Sequence, residues 1–419
     1  MNKKFKTISV VLLAIGSLAC SSNRGHSSVS DVEYYYNIAS DPRGYVDSLK
    51  WRVVWSDEFD YDDSLLEKLW VSDSGTYKSQ IACTRFRENA VVSDGSLKLI
   101  NRREDRDPRT EWTSGNIWSR ETFLYGFFEC RYKYAAAHTT NNAFWIMPSP
   151  ATPIPEDGIK FEIDINEGHY PNELYLDLHN WSEPIMIDGV QKFPRDQRCY
   201  AYGGRSAVSI DLAKGVTTSK IRLSSSNKRS FNLTKFEIID AATGVDLVSN
   251  DSALISVSGV ADGAAEAICF DSELSTWRAP LNGEKWIQFE FCEARDISAV
   301  NFESGNFSTK SNMVINSMSN YLVEAWDGLK WVKLDEWDVS DTTNFADTFH
   351  TYGLEWNKEE LIYYFDGVEI RREPNEICHN EANVYLSLAI LKYLGDIPDN
   401  VDGSFMEVDY VRIYKNRYN

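Results

Sequence analysis

The stretch Gly115-Asn-Ile-Trp-Ser-Arg-Glu-Thr-Phe-Leu-Tyr-Gly-Phe-Phe-Glu-Cys-Arg-Tyr-Lys-Tyr134 decides the fold class. It alternates apolar and polar residues with period two and is broken at glycine, the pattern of half-buried β-strands. The same texture runs outward in both directions, through residues 53–59 (VVWSDEF) and 90–103 (AVVSDGSLKLINRR). Within the latter, Ser93-Asp94-Gly95-Ser96 reads as a hairpin turn. Long helical periodicity is lacking, so the spacing predicts an all-β sandwich or barrel rather than a parallel sheet with crossover helices.

The whole chain has 419 residues, 43% hydrophobic and 13% aromatic, which is the composition of a folded protein long enough for more than one core. Its 63 Asp+Glu against 43 Lys+Arg give a formal charge of −20. Such a surface repels phosphate backbones, so nucleic acid is not an expected partner. Thirteen Trp and 22 Tyr supply aromatic faces. Most belong in the core, and a minority are available to stack on flat ligand surfaces such as sugar rings.

Residues 1–20 read as an export signal, with three Lys in the first six positions, an apolar run from Ile8 to Ile15 and small residues up to Cys20. The Leu18-Ala19-Cys20 ending resembles a bacterial lipoprotein cleavage box, in which Cys20 becomes the lipidated first residue. The expectation is a periplasmic or cell-surface protein, tethered by that lipid anchor alone through a polar linker over 21–49. The six later cysteines lack metal-ligand spacing and are too few for a disulfide framework; they are read as free. Between Arg205 and Ser340 the texture changes, with more Ser and Ala, before the earlier style returns. The reading is a first β-unit over 50–204 and 341–419, interrupted by a second β-unit over 205–340, because compact domains tolerate insertion where their ends lie close.

Chemistry concentrates in Lys160-Phe-Glu-Ile-Asp-Ile-Asn-Glu-Gly168. On a regular strand Glu162 and Asp164 share one face, Ile163 and Ile165 take the other, and Glu167 points away from the first two. One β-bulge near Asn166 restores Glu167 to their face. Paired carboxylates at controlled separation are what glycoside hydrolysis requires, about 5–5.5 Å for retention and 6.5–9.5 Å for inversion. In the retaining case Glu162 attacks the anomeric carbon, and Glu167, raised in pKa by its negative neighbours, protonates the leaving oxygen. Asp164 between them orients Glu162. A surface lectin with the same cleft, and a transglycosylase, are the competing readings.

Glu-Ile-Asp-Ile-Asn-Glu resembles the E-x-D-x-x-E signature of glycoside hydrolase family 16. Further segments in the same order are similar to recurring strands of that family: Trp55–Phe59, Ser114–Ser119, Tyr125–Arg131, Ala143–Met147, Phe349–Trp356, Tyr364–Val368 and Met406–Tyr414. The resemblance implies a curved β-jelly-roll sandwich with a concave cleft and endo-acting, retaining hydrolysis of β-linked polysaccharides. It assigns Glu162 as nucleophile, Asp164 as helper and Glu167 as acid/base. The bulged motif is closer to laminarinases, agarases, porphyranases and carrageenases than to lichenases.

By the same resemblance Trp145 is an aromatic platform and His179, followed by Trp181, lines the cleft, making these residues with Arg120 the expected substrate contacts. Thr139-Thr-Asn-Asn-Ala-Phe-Trp145 lacks the Gly-x-Trp-Pro pattern common in laminarinases. That departure favours a red-algal galactan of the carrageenan, furcellaran, porphyran or agar type, with a β-1,3-glucan second. Arg85, Arg87, Arg120, Lys133, Arg195 and Arg198 are the candidate contacts to sulfate or carboxylate groups. Residues 230–338 look like a discoidin-like, galactose-binding type of β-sandwich, whose Trp277, Trp286 and Trp331 are read mainly as core. No cofactor is expected. Asp57, Glu58 and Asp409 offer hard oxygen ligands for a structural calcium, though strand-end carboxylates explain them as well. The protein is expected to be a monomer.

Overall fold

A computed structural model describes residues 43–418 apart from 188–189, 204, 227–229, 250–251, 262–269, 271–275, 281–282, 309–312 and 316. The export and lipidation reading with Cys20 falls outside the described residues, as do Cys269 and residues 271–275 within the discoidin-like stretch. Among the described residues no helix is long and apolar enough to cross a membrane.

The protein is all-β, and its main body is a two-layer antiparallel sandwich of the jelly-roll type. One layer has seven strands in the order Arg195–Ala201, Glu173–Asn180, Phe161–His169, Thr140–Met147, Asn383–Ile390, Asn116–Ser119 and Trp70–Ser72. The other has eight, with Gly126–Lys133 and Phe405–Asn416 at its centre and Trp51–Asp57 paired to the latter. Both layers draw on chain before 202 and after 349, which makes the order of pairing strongly non-local. Their facing sides close on a single apolar core that includes Ile117, Phe128, Phe144, Ile146, Phe161, Ile163, Leu176, Leu386 and Trp356. Each fully buried side chain of this kind contributes roughly 1.5–3 kcal/mol. The hairpin read at Ser93–Ser96 is present, with positive φ at Asp94 (55°) and Gly95 (74°) and Ser93 paired to Ser96. Two positive-φ residues match the right-handed twist of the flanking strands, and glycine takes the second at no steric cost.

Seven strands between Ala207–Ser225 and Trp331–Asp338 pair in a separate sheet around their own core, and Asn306–Ser308 with Met313–Ile315 form a two-stranded ribbon. Trp277 belongs to that core, as read from sequence. Trp286 and Trp331 do not; they are half-buried on the outer side of the sheet, where the Arg222 guanidinium lies 5.2 Å from one ring and 4.2 Å from the other. Period two explains the difference, since Ile287 and Phe289 on the same strand take the inner face. Cys83, Cys130, Cys292 and Cys378 are free thiols.

Candidate active site

The outer face of the seven-stranded sheet carries the site. Along the acid strand, Phe161–His169, the residues Phe161, Ile163 and Ile165 enter the core, leaving Glu162 and Asp164 outward. The register then slips: Asp164 pairs with Asp177 but Glu167 with Tyr175, three steps against two. Ile165 and Asn166 both turn inward, and the Asn166 amide donates to the Tyr132 and Tyr134 hydroxyls at 2.6 and 2.9 Å. That bulge returns Glu167 to the outer face. Gly168 then lets the strand lie directly on Tyr134, whose ring Cζ would be only 2.2 Å from an added Cβ.

Ligand-capable oxygens and nitrogens of Glu162, Asp164 and His179 lie within 4.8 Å of one another, and so do those of Asp164, Glu167 and Asp177. Asp164 is common to both groups, so both glutamates reach it. These are also the groups, among the described residues, with the spacing to hold a cation. Trp181 donates its indole N–H to Glu162 Oε2 at 2.9 Å, Asn141 donates to Glu167 Oε1 at 2.6 Å, and His179 Nε2 stands 3.4 Å from Asp164 Oδ2. Burial pushes Glu162 up and Asp164 well up, the latter helped by the surrounding carboxylates. Burial and the Asp177 charge push Glu167 up to about 7. Burial holds His179 down to about 4, so at neutral pH it is an uncharged hydrogen-bonding ring.

A single row crosses the sheet in register: Val71, Trp118, Tyr385, Trp145, Asp164, Asp177 and Gln197. At the usual strand spacing it spans roughly 29 Å. Trp145 stacks on Tyr385 at 4.1 Å and donates to Ser387 Oγ at 3.1 Å, and Tyr385 stacks on Trp118 at 5.7 Å. At the Glu162 end, Trp181 lies parallel to His179 at 5.0 Å and meets Phe193; both large rings are exposed.

Glu162, Asp164, Glu167, Trp145, His179 and Trp181 are thus brought together. Arg120 is not among them: it follows Asn116–Ser119, three strands from the acid strand, and its Nε donates to the Glu67 carbonyl at 2.6 Å. Of the other basic candidates, Arg195 alone contacts the acid cluster, through Asp177. Arg85 is buried on the Gly115 carbonyl, Arg87 pairs with Asp63 and Glu67, Lys133 with Glu407 and Arg198 with Asp196. The three carboxylates considered for calcium do not fit that ion. Asp57 accepts from Tyr61 and Trp70, while Glu58 and Asp409 are taken by Arg43, Arg131 and Arg412. Sequence reading missed Asn141, Asp177, Tyr385 and Trp118 as site residues. Period two was the available signal, since Asn141 alternates with Trp145 and Asp177 with His179.

The sequence profile of the family described as glycosyl hydrolases family 16 matches residues 307–397, a span that lies beyond the acid strand. A β-glucanase of Rhodothermus marinus is 34% identical over 142 residues, covering 31% of this chain and 48% of that enzyme. A kappa-carrageenase of Pseudoalteromonas carrageenovora is 31% identical over 146 residues, covering 30% of this chain and 35% of that enzyme. The chain therefore spans less than half the length of these curated relatives. The solved endo-β-1,3-glucanase of Pyrococcus furiosus superposes with a TM-score of 0.48 at 14% identity, covering 90% of this chain and 99% of that one. By profile and by curated relatives, this chain is similar to the glycosyl hydrolases of family 16.

Proposed function

We propose that this chain is an endo-acting glycoside hydrolase that cuts internal β-linkages of a polysaccharide with retention. The observation that carries this reading is the bulge that turns Glu167 onto the face of Glu162, with both glutamates within 4.8 Å of Asp164 beside a stacking row. A sugar chain laid across the half-buried Trp118 and Trp145, with Tyr385 packed between them, presents one glycosidic bond to the acids. Glu162, oriented by the Trp181 N–H, attacks the anomeric carbon as the bond to the leaving oxygen breaks and Glu167 gives that oxygen its proton. Esterified Glu162 carries no charge, so Glu167 becomes the base that takes a proton from the incoming water, whose oxygen displaces Glu162. Asp164, protonated between its neighbours, hydrogen-bonds the Glu162 carboxylate when the ester releases it.

For the substrate we favour a galactan, supported by the kappa-carrageenase relative and by Arg195, whose side chain is 44% exposed beside the acids. The β-glucanase relative supports a β-glucan as the second reading. The amino-terminal pattern of 1–20 supports an exported, lipid-anchored enzyme, and the 205–340 unit is read as an inserted discoidin-like module. The test is mass spectrometry of products from agarose, porphyran, κ-carrageenan, furcellaran, laminarin and lichenan, with Glu162→Gln as control. Galactan oligosaccharides released only by the unmodified protein are expected. Glucan oligomers would establish the second reading, and binding without release on every substrate would make the protein a lectin.

A further inference from the structure

The mechanism above uses three acids and leaves a fourth without a task. Asp177 is inaccessible to solvent and faces Asp164 directly across the strand pair, its oxygens within 4.8 Å of those of Asp164 and Glu167. Its Oδ2 accepts from the Arg195 guanidinium and from Gln197 Nε2 at 3.0 Å. Its Oδ1, equally buried, meets no hydrogen-bond donor among the described residues. A buried carboxylate oxygen that lacks a donor and sits beside another carboxyl is satisfied when one proton lies between the two.

We propose that Asp177 and Glu167 hold one proton jointly, and that Asp177 is the positioning residue that keeps Glu167 protonated at neutral pH. The proposal rests on the retaining reading for its catalytic meaning. Arg195 pairs with Asp177, so the negative charge settles there and the proton on Glu167, which is the form an acid catalyst needs. Once Glu167 has given the proton to the leaving oxygen, the Asp177 charge favours its taking one back from water.

The groups facing Asp177 are consistent with this division. The acid strand presents Glu162, Asp164 and Glu167; the strand Arg195–Ala201 presents Arg195 and Cys199; its own strand presents Tyr175 and His179. Burial holds the Cys199 thiol up and His179 down, so neither carries charge at neutral pH. Arg371, which reaches the Leu176 carbonyl on the same strand, is taken by Glu373. Arg195 is therefore the cation that sets how far the pair can ionise.

The experiment is a carbon-13 NMR titration of the glutamate carboxyls in the whole chain, with Glu167 assigned by its loss in Glu167→Gln. Its midpoint is expected near 7, lower by about one unit or more in Asp177→Asn, and higher in Arg195→Gln. The alkaline limb of the kcat/KM profile, where the protonated acid is lost, should move with it, which a purely structural role would not produce. A midpoint unchanged in both variants, or raised in Asp177→Asn, overturns the proposal. If Asp177→Asn does not fold, the aspartate carboxyls decide: an aspartate resonance that shifts at the Glu167 midpoint in the unmodified chain and loses that step in Glu167→Gln supports the pair, and the absence of such a step refutes it. The titration reads the proton whether or not a polysaccharide is cut. A chain that titrates as expected but cleaves nothing would overturn the hydrolase reading and leave the shared proton standing.

Discussion

On the outward side of the eight-stranded sheet, acids and bases are matched; on the outer face of the seven-stranded sheet they are not. Glu58 receives the Arg412 Nε and Nη2 at 2.8 and 2.7 Å and Arg43 at 3.4 Å. Asp409 receives Arg43 at 3.0 Å and Arg131 at 2.6 Å, and Glu129 receives the Tyr410 hydroxyl at 2.9 Å. Arg412 is itself buried, its guanidinium 3.7 Å from the Tyr410 ring centroid. Across the sandwich, Glu162, Asp164, Glu167 and Asp177 share one guanidinium, that of Arg195, and a few neutral donors. Carboxylates that brace a fold are satisfied by partners. Those left short of partners must hold protons, which is the condition general acid catalysis needs.

The contrast predicts opposite responses to mutation. The largest effect is on the unmatched side: Glu162→Gln is expected to lower kcat/KM by roughly 10³-fold or more while the thermal unfolding profile persists. Arg412→Met should do the reverse, leaving turnover intact and costing about 3–5 kcal/mol in urea unfolding at pH 7, because Glu58 loses its main buried partner. Glu167→Gln should raise stability, by on the order of 2 kcal/mol at pH 8. The sign follows from proton binding: with a folded-state pKa of about 7 against the ordinary 4.5, the folded chain binds more protons between those values. Stability therefore falls as pH rises from about 4.5 through 7. Thermal melts at pH 8 should show the gain and melts at pH 4.5 should not; a loss at pH 8 would mean Glu167 is as well matched as Glu58. Smallest is Trp145→Ala, expected to weaken oligosaccharide binding by about 1 kcal/mol in calorimetry on the Glu162→Gln background.

Local pattern made part of this legible. The alternation through Glu162, Ile163, Asp164 and Ile165 gives the strand and its faces, and the extra residue at Ile165–Asn166 follows from asking where Glu167 must point. Residues that meet only through register are not readable in the same way. Tyr385 lies 240 positions from Trp145, and nothing in its own strand, where every residue is buried, marks it as the middle of a stacking row. Arg195 and Asp177 belong to adjacent strands joined by a long connection, so their pairing appears only once the sheet is assembled. The basic residues show the same limit. Arg85 and Arg87 sit two apart, yet one is buried on a carbonyl and the other paired at the surface, a distinction that composition does not carry.

The proposed chemistry is a double displacement, with Glu162 as nucleophile and Glu167 as acid and then base. Proton NMR of the first oligosaccharides released, recorded before mutarotation, tests it most directly. The new reducing end is expected to appear first as the β-anomer and to equilibrate later. First appearance of the α-anomer would mean inversion, with water attacking in place of Glu162, and would contradict it.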